Sequence, residues 1–159
     1  MNDPPPSARV LVAFDGSDKD AAALQWALAN APALGAQIEV VHALGLRESA
    51  NHRSEGGAES AHDQAVRHTT EAMRRAIAAV PGAGRHDIAL TILSGHPALL
   101  LLDLIATTHP DLVVLGRRSS AAGAAATLGS VSQEIAGRAL VPVVVVPQSW
   151  SAALNPPKG

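Results

Sequence analysis

Cysteine is absent from the 159 residues of this chain, and aromatic residues are nearly absent. Without cysteine the chain has no disulfide, no thiolate metal site and no thiol nucleophile. The aromatic residues are Phe14, Trp26 and Trp150, so the core has to be built from Val, Leu, Ile and Ala. The formal net charge is only −2, which argues weakly against nucleic acid or an anionic membrane as the main partner.

Long apolar runs and secretory signals are also missing. The run Leu99–Leu102 is far too short to cross a bilayer. The first residues, MNDPPPSA, have neither the basic region nor the apolar stretch of a signal peptide. We therefore expect a cytoplasmic protein without a membrane partner. The length suits one domain, predicted over residues 9–147, between a disordered tail at 1–8 and a C-terminal tail at 148–159.

Short apolar runs alternate regularly with amphipathic stretches along the chain. The predicted strands are 9–14, 37–43, 86–93, 112–115 and 143–146, and the predicted helices are 18–34, 60–80, 97–108 and 130–139. Strands that are apolar throughout are typical of a parallel sheet whose two faces are both covered by helices. The fold class is therefore α/β, a doubly wound, Rossmann-like domain of five strands.

The stretch that follows the fourth predicted strand carries the clearest functional pattern. The strand ends at Gly116, a loop of small residues follows, and Gly129 precedes a predicted helix. Ser130 is predicted to be the N-cap of this helix, with Gln133 completing a capping box. A strand, a glycine-bearing loop and a helix N-terminus present backbone N–H groups to an anion. The pattern is neither a Walker A motif nor a dinucleotide fingerprint, and taken alone it is more often plain loop chemistry.

The spacing within this stretch resembles the universal stress protein signature, G-x2-G-x9-G-[ST]. Gly116 and Gly129-Ser130 match it, whereas Ser119 stands where the nucleotide-binding branch has its second glycine. Further similar segments follow one another in the family's order, namely VAFDGS at 12–17, VVHA at 40–43, SGHP at 94–97 and LVPVVVV at 140–146. The resemblance covers most of the chain, from Val10 to Val146.

The resemblance implies a strand order of 3-2-1-4-5, with a switch point between the first and fourth strands. Open α/β sheets bind ligands at such a point, here between Asp15 and Gly116. In ATP-binding members, the residue that matches Asp15 contacts ribose, and main chain at the positions of Ala13, Phe14 and Ala43 frames the adenine. The other positions carried over line the pocket or wrap the phosphates, and they are Leu115, Gly116, Arg118, Ser119, Gly129, Ser130, Val131 and Ser132.

The family likeness also implies a ligand, an assembly and a role. The ligand would be ATP or a related adenine nucleotide such as AMP or ADP, with a divalent ion such as Mg²⁺ on the phosphates. The partner would be a second copy, paired through Val143–Val146, an apolar run at the predicted sheet edge. We expect a regulatory stress-response protein. Two alternatives stay open: a nucleotide-independent dimerisation module in which Ser119 marks a lost site, and a slow ATPase, for which no catalytic constellation is visible.

Several of these residues have a simpler interpretation. Asp15 is also a turn carboxylate that would accept a backbone N–H from Gly16 or Ser17. His42, at the end of the second strand, is expected to make a structural hydrogen bond. No two histidines have the spacing of metal ligands, so we assign none. Arginines in such loops, here Arg117 and Arg118, are usually solvated, and one of the two is a candidate for contact with phosphate.

Overall fold

The computed structural model describes residues 7–45, 60–117 and 128–151, and these contain a five-stranded sheet. The strands are β1 (Ala8–Ala13), β2 (Ala36–Leu44), β3 (Ile88–Ser94), β4 (Leu112–Arg117) and β5 (Val143–Pro147). The helices described are α1 (Asp18–Leu34), α2 (Ala61–Ala79), α3 (Pro97–Thr108) and α4 (Ser130–Arg138), with a 3₁₀ turn at Ala83–Arg85. Residues 46–59, between β2 and α2, and most of both predicted tails lie outside the described residues.

The strands lie in the order β3-β2-β1-β4-β5, and each neighbouring pair is parallel. The predicted fold class and strand order are therefore confirmed. The chain runs outward from β1 to β3 on one side and then crosses to β4 on the other side of β1. This crossing places the switch point between the carboxyl ends of β1 and β4, where an open α/β sheet has its crevice.

Helices cover both faces of the sheet, and the side chains of β1 alternate between the two layers. Val10 and Val12 pack against α1 and α2, whereas Leu11, between them, packs against α3 and α4. Among the described residues no polar or charged residue is buried. The centres of β1 and β4 are uninterrupted apolar runs because both of their faces meet helices.

The end of α1 and the start of α2 have local causes in the sequence. Gly35 follows α1 in the left-handed conformation, with φ 59°, as predicted for a residue that ends a helix. Ser60 precedes α2, and its Oγ accepts the backbone N–H of Asp63 at 3.1 Å. The Ser60 hydroxyl also donates to the Asp63 carboxylate at 2.7 Å, and this hydrogen bond lowers the pKa of Asp63. The Ser60 side chain thus caps the start of α2, and the Asp63 carboxylate holds the Ser60 hydroxyl in place.

Strand boundaries differ from the prediction by one or two residues, and the start of the third strand has a local cause. The third strand was expected from residue 86, but Gly82, with φ 90°, turns the chain into the 3₁₀ segment that ends before His86. The backbone N–H of His86 donates to Ala83 O at 3.1 Å, so this residue closes the turn. The strand therefore begins two residues later, at Ile88.

Candidate functional site

A pocket of about 250 Å³ opens at the carboxyl ends of β1, β2 and β4, where the strand order predicted a crevice. Three separate parts of the chain meet there because parallel strands end at a common edge of the sheet. Ten of the twelve predicted site residues line it: Ala13, Phe14, Asp15, Ala43, Leu115, Gly116, Gly129, Ser130, Val131 and Ser132. The other two, Arg118 and Ser119, lie outside the described residues.

Asp15 follows β1 and is exposed at the mouth of the pocket. Its Oδ1 accepts the backbone N–H of Ser17 at 2.8 Å, which confirms the turn role expected for this carboxylate. The same residue lines the pocket, so the turn holds a carboxylate at the place where a ligand would enter. A turn carboxylate of this kind is positioned by the backbone before any ligand arrives.

Gly116 lies at the closest approach between β4 and α1. A Cβ on Gly116 would collide with the Asp20 carboxylate and come within 3.3 Å of Asp20 Cα. Asp20 also lines the pocket, and its Oδ2 accepts the backbone N–H of Asp15 at 3.3 Å. A side chain at this position would force Asp20 or α1 to shift, so the close packing of α1 favours glycine here. Asp20 lies at the junction between the ends of β1 and β4.

The N-terminus of α4 opens into the pocket, but its cap differs from the prediction. The N-cap is Gly129 and not Ser130, because the backbone N–H of Gln133 donates to Gly129 O at 2.9 Å. Gly129 itself has no side chain that could cap this helix start. The Ser132 hydroxyl donates instead to the carbonyl of Gly116 at 3.2 Å, which ties the helix to the end of β4. The cap residue therefore provides no side-chain acceptor for the N–H groups of the first turn.

The end of β2 forms the opposite wall of the pocket. The ladder between β1 and β2 ends at the pair Ala13–Val41, and the backbone N–H of Phe14 donates to Val41 O at 3.1 Å. Alternate residues of a parallel strand direct their peptide groups to the same neighbour. Ala43, two residues after Val41, therefore directs its N–H and C=O towards the β1 side, beyond the last paired residue of β1.

His42 makes the structural hydrogen bond that was predicted for it. Its Nδ1 lies 3.0 Å from the carbonyl oxygen of Phe14, and because a carbonyl only accepts, Nδ1 carries the proton. The Phe14 side chain is buried in the α1 and α2 layer, so the main chain of this residue is what it offers to the pocket. The ring of His42 thus fixes the peptide that follows β1.

Comparison with known proteins identifies the chain. The family model described as the universal stress protein family matches residues 7–147. A Thermus aquaticus protein, "Universal stress protein in QAH/OAS sulfhydrylase 3′ region", is 34% identical over 137 residues, which are 86% of this chain and 96% of that protein. The chain belongs to the universal stress protein family. The resemblance found in the sequence is therefore confirmed.

Solved structures of universal stress proteins share the fold. A universal stress protein in complex with cAMP is 25% identical and covers 90% of this chain and 98% of its own, with a TM-score of 0.63. A universal stress protein family member from Arabidopsis thaliana with AMP bound is 16% identical, covers 95% and 97%, and has a TM-score of 0.57. At 16% identity, the likeness to the Arabidopsis thaliana structure shows the fold alone.

Sequence reasoning about this universal stress protein domain missed part of the pocket lining. The residues not predicted are Asp20, Val41, His42, Pro97 and Leu101. Val41 and Leu101 are buried in the layer of α3 and α4 and form apolar walls of the pocket as well as part of the core. Pro97 begins α3, and Leu101 follows it by four residues, so both lie on one face of that helix. That spacing was the available signal for the α3 wall.

The described part of this universal stress protein offers no metal centre of its own. Within residues 7–45, 60–117 and 128–151, no group of three or more His, Cys, Asp or Glu side chains is placed to hold an ion. No described helix combines the length and the apolar character needed to cross a bilayer.

Proposed function

We propose that this universal stress protein binds an adenine nucleotide in the pocket between β1 and β4 and acts as a regulatory homodimer. The observation that carries this proposal is the N-terminus of α4. The N–H groups of Ser130, Val131 and Ser132 belong to its first turn, and the cap residue, Gly129, has no side chain to accept them. Such donors, at the positive end of the helix dipole, are suited to a phosphate group.

The other end of the pocket has the character of a base site. Ala43 directs both a donor and an acceptor of its peptide towards the pocket, which is the pairing that the edge of adenine requires. Val41, Leu101 and Leu115 supply apolar walls, and all three are nearly fully buried. Apolar walls with a few fixed polar groups are typical of small-molecule sites.

Asp15 lies between these two ends and is the candidate partner of the ribose. One oxygen of its carboxylate is held by the Ser17 N–H at 2.8 Å, which fixes the orientation of the group. A carboxylate is an acceptor only, so it suits the hydroxyl donors of a sugar. Base, sugar and phosphate would follow one another from β2 past β1 to α4.

The relatives with bound ligands support an adenine nucleotide, since one was solved with cAMP and another with AMP. We propose ATP as the fullest occupant of the pocket, with a divalent ion such as Mg²⁺ on its phosphates. Asp15 and Asp20 are the carboxylates that the described lining could offer to that ion.

Nucleotide carried through purification is the most direct test. Freshly purified protein is denatured, and the supernatant is analysed by mass spectrometry for AMP, ADP, ATP and cAMP. We expect an adenine nucleotide, or a thermal shift on adding one to the empty protein. If nothing is released and millimolar nucleotide gives no shift, the alternative of a nucleotide-independent dimerisation module is favoured, in which Ser119 marks the loss of the site.

The proposed role is binding and not catalysis, and the imidazole among the described lining residues is that of His42. The ring nitrogen Nδ1 of His42 is engaged with the Phe14 carbonyl at 3.0 Å. Release of inorganic phosphate from ATP, measured under turnover conditions against the Gly129→Val variant, tests this point. Release by the wild type well above that of the variant would assign a hydrolytic activity to this pocket.

The proposed homodimer forms through the outer edge of β5. The backbone N–H of Val113 donates to Pro142 O at 3.0 Å, so Pro142, Val144 and Val146 direct their peptide groups to β4. Val143 and Val145 therefore direct theirs away from the sheet. An edge with unpaired N–H and C=O groups is a template for pairing with another strand. Antiparallel pairing of Val143 with the second copy's Val145 would satisfy both residues in each chain.

A further inference from the structure

The ladder between β1 and β2 stops one hydrogen bond short of its regular continuation. Its last pair is Ala13 with Val41, and the next residue, Phe14, still donates its N–H to Val41 O at 3.1 Å. In a regular parallel ladder the carbonyl of Phe14 would then accept the N–H of Ala43. The register of the two strands ends before this bond, so the N–H of Ala43 lies outside the ladder.

The carbonyl of Phe14 accepts a side chain in place of that N–H. The donor is Nδ1 of His42, which lies 3.0 Å from the carbonyl oxygen. Val40, two residues earlier in β2, packs in the layer of α1 and α2, so the ring of His42 lies on the same face of the strand. Val41 and Leu101, the apolar walls of the pocket, belong to the opposite layer. The ring therefore reaches the carbonyl from the face opposite to these walls.

We infer that His42 ends the ladder at this point and thereby keeps the main chain of Ala43 available to a base. A hydrogen bond from Ala43 to Phe14 would use up the donor that the edge of adenine needs, and the imidazole satisfies the Phe14 carbonyl instead. An N–H beside a C=O matches adenine, which has a ring acceptor beside an amino group, and it does not match hypoxanthine, in which both are reversed. This role rests on the proposed nucleotide site and assigns to it a residue that acts through Ala43.

Amide hydrogen exchange, followed by NMR on the empty protein, tests the end of the ladder without any ligand. In the wild type the N–H of Val41 belongs to the ladder and that of Ala43 does not, so Ala43 should exchange much faster than Val41. In His42→Leu the carbonyl of Phe14 loses its donor, and the N–H of Ala43 should replace it. Exchange at Ala43 should then slow by about threefold to tenfold, the effect of one ordinary hydrogen bond.

Two further variants separate the donor of His42 from the rest of its side chain. His42→Asn places a side-chain N–H close to the position of Nδ1 and should keep the exchange pattern of the wild type. Thr70→Val removes another hydrogen bond from a side chain to a carbonyl, that of Thr70 Oγ1 to Val66 O at 2.7 Å in α2. This control should leave the exchange of Ala43 unchanged.

Titration calorimetry with AMP, IMP and ribose 5-phosphate separates recognition of the base from the rest of the site. IMP carries hypoxanthine in place of adenine, and ribose 5-phosphate has no base. We expect the wild type to prefer AMP to IMP. In His42→Leu the affinity for AMP should fall by about threefold to tenfold and the preference over IMP should shrink, whereas the affinity for ribose 5-phosphate should change by less than about twofold. His42→Asn should restore both the affinity for AMP and the preference.

Three results would overturn this role for His42. The first needs no variant: exchange at Ala43 as slow as at Val41 in the wild type would show that this N–H is already paired. The second is unchanged or faster exchange at Ala43 in His42→Leu, since the ladder then does not extend when the imidazole is removed. The third is an equal loss of affinity for AMP and ribose 5-phosphate, which would indicate general support of the strand end. If the wild type binds none of the three ligands, the proposed nucleotide site is wrong, and the exchange data still decide whether His42 ends the ladder.

Discussion

Gly129→Ser should raise the stability of the protein and lower its affinity for nucleotide. Gly129 is the N-cap of α4, with φ −62° and ψ 160°, an extended conformation that any residue adopts and that serine favours at a cap. A Cβ built on Gly129 meets no atom of residues 7–45, 60–117 or 128–151 within 4 Å. Serine therefore fits without strain, and its Oγ reaches the N–H groups at the start of the helix.

The two effects of this substitution have opposite signs. Serine is a slightly better cap than glycine, so the free energy of unfolding of the empty protein should rise by a few tenths of a kcal/mol. The same Oγ would accept the N–H of Val131 or Ser132 and compete with the phosphate for it. A hydrogen bond to a charged group contributes about 1.5–3 kcal/mol, so its loss should weaken nucleotide binding between about tenfold and a hundredfold.

Thermal unfolding of the empty protein and calorimetric titration with AMP measure the two effects. Gly137→Ser is the matched control, because Gly137 also lies in α4, is exposed and has open space around its Cβ position. It should raise stability by a similar small amount and leave the affinity unchanged. Gly129→Val adds bulk at the cap without an acceptor, and we expect it to abolish binding while the fold persists.

One result would refute the reasoning about α4. If Gly129→Ser is more stable than the wild type and still binds AMP equally well, the first-turn N–H groups do not hold phosphate. Equal losses of affinity in Gly129→Ser and Gly137→Ser would likewise place the cause outside the cap.

Three further predictions concern the assembly and the fold. Val145→Pro removes an outward N–H of β5 without touching the ladder to β4, so light scattering should find a folded monomer where the wild type is a dimer; a dimeric variant would exclude this edge. Gly116→Ala should destabilise the protein through its clash with Asp20, and Asp20→Ala should restore part of the loss in a double-mutant cycle by denaturant unfolding; strict additivity would contradict the contact. Ser60→Ala should cost about 1 kcal/mol of stability and raise the pKa of Asp63 towards its ordinary value, as followed by NMR titration. The pKa of Asp63 is lowered in the folded protein, so the stability that depends on its carboxylate is present at neutral pH and is lost as the pH falls below about 4. If the pKa of Asp63 is unchanged in Ser60→Ala, the Ser60 hydroxyl is not what lowers it.

Most of the fold was predictable because it depends on local pattern. Each predicted strand and helix is present, and the strand order followed from the family resemblance carried by Gly116 and Gly129-Ser130. The cap of α4 was not predictable, since glycine and serine are both accepted at an N-cap and they are adjacent here. The hydrogen bond from the Gln133 N–H decides between them, and only the structure shows it.

The site was predicted where it depends on the ends of strands and missed where it depends on packing. Asp15 follows from the parallel order, because strand ends share an edge, and Ala43 was carried over from the family resemblance; both line the pocket. Asp20 reads in sequence as one more acidic residue in the first turn of a helix. Its place in the pocket arises from the close approach of α1 to β4 at Gly116, a contact between elements far apart in the chain.

The polar groups that we assign to base and phosphate are mostly main-chain groups, at Ala43 and in the first turn of α4. Every amino acid except proline supplies the same N–H and C=O, so sequences can diverge while the pocket keeps its donors and acceptors. The same feature sets the strategy for mutagenesis. Truncation to alanine removes none of these groups, and a conventional alanine scan would report few sensitive positions. Substitutions that add atoms, at glycines beside the pocket, are the ones that would reveal it.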